Sequence, residues 1–313
     1  MTAMAKGAVI LNGYFRSGTS ILWRLLRDAN PARAVIYEPC HNDLFTAIEM
    51  ARNGRHSDLH QFPVWGDYLT LSEVQLARLR WSHPCLAGRV LPGDTAALLR
   101  YLATLRSVFG SDAVLQTNRW HFQLGQLAEA DAEIFHVVRN PLAVYRSIVV
   151  GSDYRRRRNP LIRARRLFNP AEQFYGWRIA NEIAPRYGTR LSSWLRWRPF
   201  DVFVYCWVLA NAAALDALGA SRLFSYEEIC LAPSRFQSAL HGAGLAADFS
   251  AMRPAPAMTA TEFAAIDEAC AGLRIERWWR PLRRFLQDNM ARLPVACAER
   301  ATGLRVVAGQ SLP

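Results

Sequence analysis

Short apolar blocks alternate with stretches of helical spacing along most of this chain. Residues 8–11, 34–37, 113–116, 133–138 and 222–225 are brief, largely apolar runs, and each predicts a strand. Apolar positions recurring every three or four residues predict helices over 20–28, 122–130, 142–149 and 202–218, the first stopped by Asn30-Pro31. Strands alternating with helices predict an α/β fold. The expected form is three α/β/α layers around a parallel sheet that binds its ligand at the carboxyl ends of the strands. Two segments break the rhythm. Residues 41–112 are rich in aromatics and histidine, and residues 151–200 interleave arginine with Tyr, Phe and Trp. Both are expected to be helical inserts that cover an acceptor, within one domain spanning 1–313.

The 313 residues are 51% hydrophobic and 20% charged, ample for a core. Charge alters the picture more. The net charge is +12, Lys6 is the only lysine, and residues 151–200 hold twelve Arg against Asp153, Glu172 and Glu182. Such a rim would attract an acidic substrate or an anionic membrane, so peripheral membrane contact through 151–200 is one expectation; a solvated arginine face is the plain alternative. Basic residues among aromatics also suit single-stranded nucleic acid, but no nucleic-acid module is recognisable and no such partner is expected. The longest apolar stretch, 202–215, contains Asn211 and is flanked by Asp201 and Asp216, so it does not read as a membrane span. The first residues lack a secretory-signal pattern, and six scattered cysteines include no Cys-x-x-Cys pair. Reduced, mostly buried thiols and a cytoplasmic location are expected.

The candidate chemistry begins where the first strand ends. Asn12-Gly13-Tyr14-Phe15-Arg16-Ser17-Gly18-Thr19-Ser20 places two glycines, with four residues between them, before hydroxyl residues at a helix start. Backbone N–H groups at such a loop and helix start present partial positive charge to an anion, so the fold is expected to be P-loop-like. The nucleotide-hydrolysing form, G-x-x-x-x-G-K-S/T, places Lys after the second glycine. Thr19 stands there instead, and the nearest cation is Arg16 inside the loop. Two further constellations accompany the loop. Val35-Ile36-Tyr37-Glu38-Pro39-Cys40-His41 is a strand ending in a carboxylate. Residues 134–147 form a strand ending at Arg139, with Asn140 as cap, Pro141 at the first helical position and Ser147 nearly two turns further on.

Together these motifs resemble the sulfotransferases that use 3′-phosphoadenosine 5′-phosphosulfate (PAPS). In that family an Arg/Lys-Ser/Thr-Gly-Ser/Thr-Ser/Thr loop grips the 5′-phosphosulfate, which here implies Arg16, Ser17, Gly18, Thr19 and Ser20. A later Arg-Asp/Asn-Pro element followed by Ser holds the 3′-phosphate, which implies Arg139 and Ser147. The Glu38-Pro39 pair near His41 is similar to carbohydrate sulfotransferases, and Phe224-Ser225-Tyr226-Glu227-Glu228 with Pro233 resembles the family's Tyr-Glu-acid element, making Tyr226 an adenine contact. The resemblance spans residues 8–233 and accounts for the absent Lys: sulfuryl transfer needs no bridging metal, and Arg16 can stabilise the leaving oxygen.

A base must take the acceptor's proton. Glu38 is the first candidate, with His41 and His121 as alternatives, whereas His136 inside a strand reads as a core histidine. The family's cation near the third strand's end has only Arg119 as counterpart, in Gln116-Thr117-Asn118-Arg119-Trp120. Arg277-Trp278-Trp279-Arg280 reads as an amphipathic helix lying on the sheet. The sequence therefore predicts transfer from PAPS to a hydroxyl of a small molecule, glycan or lipid, with a carbohydrate or glycolipid favoured and no metal. A P-loop kinase and a non-catalytic polyanion- or membrane-binding protein are the competing readings.

Overall fold

The computed structural model describes residues 7–55, 58–59, 62–85, 89–150, 176–189 and 197–293. Strand β1 (Val9–Gly13) leads through the loop into α1 (Thr19–Ala29), and β2 (Val35–Tyr37) follows. The first insert holds α2 (Leu44–Arg52), a small antiparallel pair β3 (Asp58–Leu59) and β4 (Phe62–Pro63), then α3 (Gly66–Leu69), α4 (Glu73–Ser82) and α5 (Thr95–Phe109). Next come β5 (Val114–Thr117), α6 (Leu124–Glu129), β6 (Glu133–Val138) and α7 (Pro141–Val150). After α8 (Gly176–Ile183) the chain continues with α9 (Pro199–Leu218), β7 (Leu223–Ser225), α10 (Tyr226–Leu231), α11 (Ser234–Gly242), α12 (Ala260–Leu273) and α13 (Glu276–Ala291).

The central sheet has the order β2-β5-β1-β6-β7, and every pairing in it is parallel. The strands are buried almost end to end, as an all-parallel sheet covered on both faces requires. One apolar cluster gathers β1, β2, β5, α1, α2 and α5, and a second is centred on α9 and packs α12 and α13 against it. The α/β architecture with a parallel sheet and helical inserts matches the sequence expectation, and each predicted strand forms within a residue or two of its expected bounds.

Helix α9 is buried nearly all round, which marks an internal helix. Among the described residues it alone is long and apolar enough to cross a membrane, and 67% of that window is buried inside the protein. The C-terminal helix departs from expectation. Trp279 of α13 is buried and meets Trp207 of α9 at 6.3 Å between ring centroids, so α13 lies on α9 and not on the sheet. The reason is that α9 already covers that face, and the indole N–H of Trp279 finds its acceptor in Asp267 of α12. The five described cysteines are free thiols, four of them buried, while Cys297 lies outside the described residues.

Candidate active site

The loop after β1 takes its shape from two left-handed residues, Arg16 (φ 64°) and Gly18 (φ 96°). A tight turn closes it, Ser17 N donating to Tyr14 O at 3.0 Å. Helix α1 then starts without a side-chain cap and without an acid in its first turn, leaving its N-terminal field for a ligand. Ser17 is 1% exposed and its Oγ has no hydrogen-bond partner. A buried hydroxyl left so is costly unless something arrives to bond it. At Gly18 a Cβ would lie 2.3 Å from the Tyr226 ring, so glycine is needed both for φ and for this close approach.

Distant segments close over the loop. Arg16 Nε donates to Ser147 Oγ at 2.9 Å, and an Arg139 N–H donates to the Arg16 carbonyl at 3.1 Å. The Arg139 guanidinium sits 4.6 Å from the centroid of Tyr226, and its Nε is buried without a partner. Burial, and then the nearby Arg139 charge, lower the Arg16 pKa. Two guanidinium groups held this close are eased by an anion between them. All eight residues assigned to donor binding (Arg16, Ser17, Gly18, Thr19, Ser20, Arg139, Ser147 and Tyr226) thus meet around one loop. Unsatisfied donors, an uncapped helix start and paired cations are a donor set that fits phosphate and sulfate oxygens.

Glu38 stands at the carboxyl end of β2 with φ 36° and is 7% exposed. Asn118 Nδ2 donates to its Oε1 at 2.7 Å, the Tyr37 hydroxyl bonds its carboxyl, and an Arg119 nitrogen lies 3.7 Å from Oε2. Burial raises the Glu38 pKa, with Arg119, Tyr37 and Asn118 pulling the other way. The Tyr37 hydroxyl also lies 3.3 Å from Ser20 Oγ, joining the carboxyl to the loop. Gln116 makes a second link, Nε2 donating to Thr19 Oγ1 at 2.9 Å and Oε1 accepting from Glu38 N at 3.3 Å. The first insert buttresses this segment: His83 Nε2 and the Tyr101 hydroxyl both bond the Pro39 carbonyl, at 3.1 and 2.6 Å. Tyr37, Gln116, Asn118, His83 and Tyr101 had no assigned role in the sequence, which offers no local motif for any of them.

The other base candidates are differently placed. His41 Nδ1 accepts from Asp43 N at 3.1 Å, and burial, followed by the Arg119 charge, lowers its pKa to about 3. His121 is 2% exposed; Nε2 donates to Asn118 O at 2.8 Å and Nδ1 accepts from Asn12 Nδ2 at 3.0 Å. Asn12 Nδ2 also donates to His136 Nδ1 at 2.8 Å, and His136 Nε2 donates to Asn211 Oδ1 at 2.9 Å. Because Asn12 can only donate from Nδ2, both imidazoles are held neutral as Nε2–H tautomers. Burial lowers His121 to about 3 and His136 to about 4. His136 is thus a satisfied core histidine. Arg119 is 1% exposed and donates to Cys40 O and to the Asn42 and Asn118 side chains, a buried brace beneath Glu38.

The remaining motif residues stiffen the frame. Asn140 Oδ1 caps α7 through Leu142 N and Ala143 N at 2.9 and 3.2 Å. Glu228 takes a two-pronged bond from Arg235 at 2.6 and 2.8 Å, and Glu227 accepts from Asn140 N at 3.2 Å. The expected acceptor lid and membrane contact in 151–200 fall largely on residues 151–175 and 190–196, outside the described residues.

No family model matches this chain. Among curated proteins, an uncharacterized protein of Archaeoglobus fulgidus is 31% identical over 146 residues. That match covers 44% of this chain and 46% of the relative, so it spans about half of each. A solved structure, the sulfotransferase from Alicyclobacillus acidocaldarius, aligns over 95% of this chain and 96% of its own at 16% identity, with a TM-score of 0.36. A likeness that slight leaves the functional reading to rest on the site.

Proposed function

We propose that this protein transfers a sulfuryl group from PAPS to an acceptor hydroxyl, with a carbohydrate or glycolipid as the favoured acceptor class. The observation that carries the reading is the meeting of Arg16, Arg139 and Ser147 on an uncapped, acid-free helix start, with buried Glu38 tied to the same loop through Tyr37 and Gln116. The donor supplies an activated sulfur and a phosphate leaving group. The loop N–H groups, Ser17, Thr19 and Ser20 hold its 5′ end, Arg139 and Ser147 its 3′-phosphate, and Tyr226 its base. As the acceptor oxygen bonds to sulfur and the bridging O–S bond breaks, the hydroxyl proton passes to Glu38 and the electron pair leaves on the phosphate oxygen. Arg16 balances the charge developing there. A pKa raised by burial makes the Glu38 carboxylate a stronger proton acceptor than an exposed one.

The test pairs binding with turnover. Calorimetry with adenosine 3′,5′-bisphosphate in excess EDTA should show binding by the wild type and by Glu38→Gln alike. Transfer from labelled PAPS, screened over glycans, glycolipids and phenols, should fall at least ~100-fold in Glu38→Gln. Retained turnover would move the base elsewhere, and tighter, Mg²⁺-dependent binding of ATP would overturn the donor assignment.

A further inference from the structure

Gln116 is fully buried on β5, paired in register with Leu11 of β1 on one side and Tyr37 of β2 on the other. Its amide therefore sits between the strand that feeds the anion loop and the strand that ends in Glu38. The two bonds it makes are not interchangeable. The Glu38 backbone N–H can only donate, so the group facing it at 3.3 Å must be the oxygen of Gln116. That fixes Nε2 toward Thr19, where it donates to Oγ1 at 2.9 Å. A hydroxyl that accepts this bond turns its own proton away from Gln116, and at the first position of α1 it is left to donate to a bound oxyanion.

We infer that Gln116 is a positioning residue, which polarises Thr19 as a hydrogen-bond donor toward a phosphate or sulfate oxygen bound in the loop. In the nucleotide-hydrolysing P-loop the position of Thr19 is a Lys, whose charge reaches the phosphates. Here a neutral hydroxyl stands there, and the amide behind it takes up the hydroxyl oxygen and leaves the proton for an anion. The same side chain also holds the Glu38 amide, so one residue sets the loop's polarity and the position of the base. This assignment rests on the sulfuryl-transfer reading for the donor's name, but the polarity argument needs only an anion in the loop.

The isosteric variant Gln116→Glu separates the two effects. A carboxylate still accepts from Glu38 N but now also accepts from Thr19, turning the hydroxyl proton away from the ligand. At pH 8 in excess EDTA, binding of adenosine 3′,5′-bisphosphate and of inorganic pyrophosphate should weaken at least ~10-fold relative to wild type, as for one lost charge-assisted hydrogen bond. Lowering the pH should restore Gln116→Glu, since a protonated carboxyl donates as the amide does. A purely structural role would produce no such recovery. Thr19→Val should weaken binding similarly, and the double variant should be no worse than either single one. Equal binding by wild type and Gln116→Glu in EDTA would overturn the inference, as would a double variant that binds much more weakly than either single one. A wild type that binds pyrophosphate in EDTA but not the bisphosphate would instead sink the donor reading and leave the role of Gln116 standing.

Discussion

Glu38 and Glu227 are both buried carboxyls, but their surroundings differ in what they return. Glu38 has a guanidinium, an amide and a phenol around it, each favouring the charged form against burial. Glu227 has two backbone N–H groups and a more distant Arg139, and burial pushes it up to about 7 from an ordinary 4.5. A raised carboxyl favours the fold in its neutral form. The contribution is present at low pH and is lost as pH rises through about 7. At pH 8 the charged Glu227 therefore opposes folding by about 3 kcal/mol at most. Glu227→Gln keeps an oxygen to accept from Asn140 N and removes the charge, so it should stabilise the protein by roughly 2–3 kcal/mol at pH 8 and by less than ~1 kcal/mol at pH 5. Urea titrations at the two pH values measure this, and an equal effect at both would show that burial does not raise the Glu227 pKa.

The elements were largely legible in the sequence, because short apolar blocks between helical spacing are what a covered parallel sheet demands. The anion loop was legible too, since its glycine, hydroxyls and helix start lie within nine residues. Gln116, Tyr37 and Asn118 were not. Each is a neutral side chain whose role arises only when β5 takes its place between β1 and β2, bringing together residues 97 and 78 positions apart. The resemblance directed attention to a cation at the end of β5, and Arg119 proved to be a brace under Glu38 and Cys40. The meeting of loop and α10 is equally invisible locally, and it carries its own prediction. Gly18→Ala would force a Cβ into the Tyr226 ring at a φ of 96°. The left-handed conformation costs about 1 kcal/mol and the overlap about 1–3 kcal/mol more. Thermal unfolding should show that loss, and calorimetry a weakened bisphosphate. Tyr226→Ala in the same chain should return the overlap share of the stability. An unchanged melting temperature in Gly18→Ala would mean that Tyr226 does not cover the loop.

Across the whole molecule, the sheet, the loop after β5 and α9 are joined by one buried polar chain, Asn118–His121–Asn12–His136–Asn211. Its histidines are neutral in the fold, with pKa values lowered from 6.5 to about 3 and about 4, and His83 beneath Pro39 is lowered to about 4. A depressed histidine contributes stability that is complete above the unfolded value of 6.5 and is lost as pH falls toward 3–4. At pH 5 each buried imidazole has forfeited about 2 kcal/mol. Glu227 works in the opposite direction over an overlapping window, recovering stability as pH falls from about 7 toward 4.5. Several histidines outweigh one carboxyl, and below pH 4.5 nothing from Glu227 remains to be recovered. Stability should therefore fall throughout from pH 7 to 4, by about 3 kcal/mol net at pH 5 and further at pH 4, a total comparable with the whole stability of an ordinary domain. Urea midpoints at pH 7, 5.5, 5 and 4 trace the curve, and imidazole NMR shifts should report neutral His121 and His136 until unfolding. His136→Gln, which removes one of these titrating groups, should lower stability at pH 7 yet flatten the slope between pH 6 and 4.5. A slope unchanged in that variant, or imidazoles that titrate near 6.5 in the folded protein, would show that the chain is not the acid-sensitive clasp between sheet and helix that its hydrogen bonds describe.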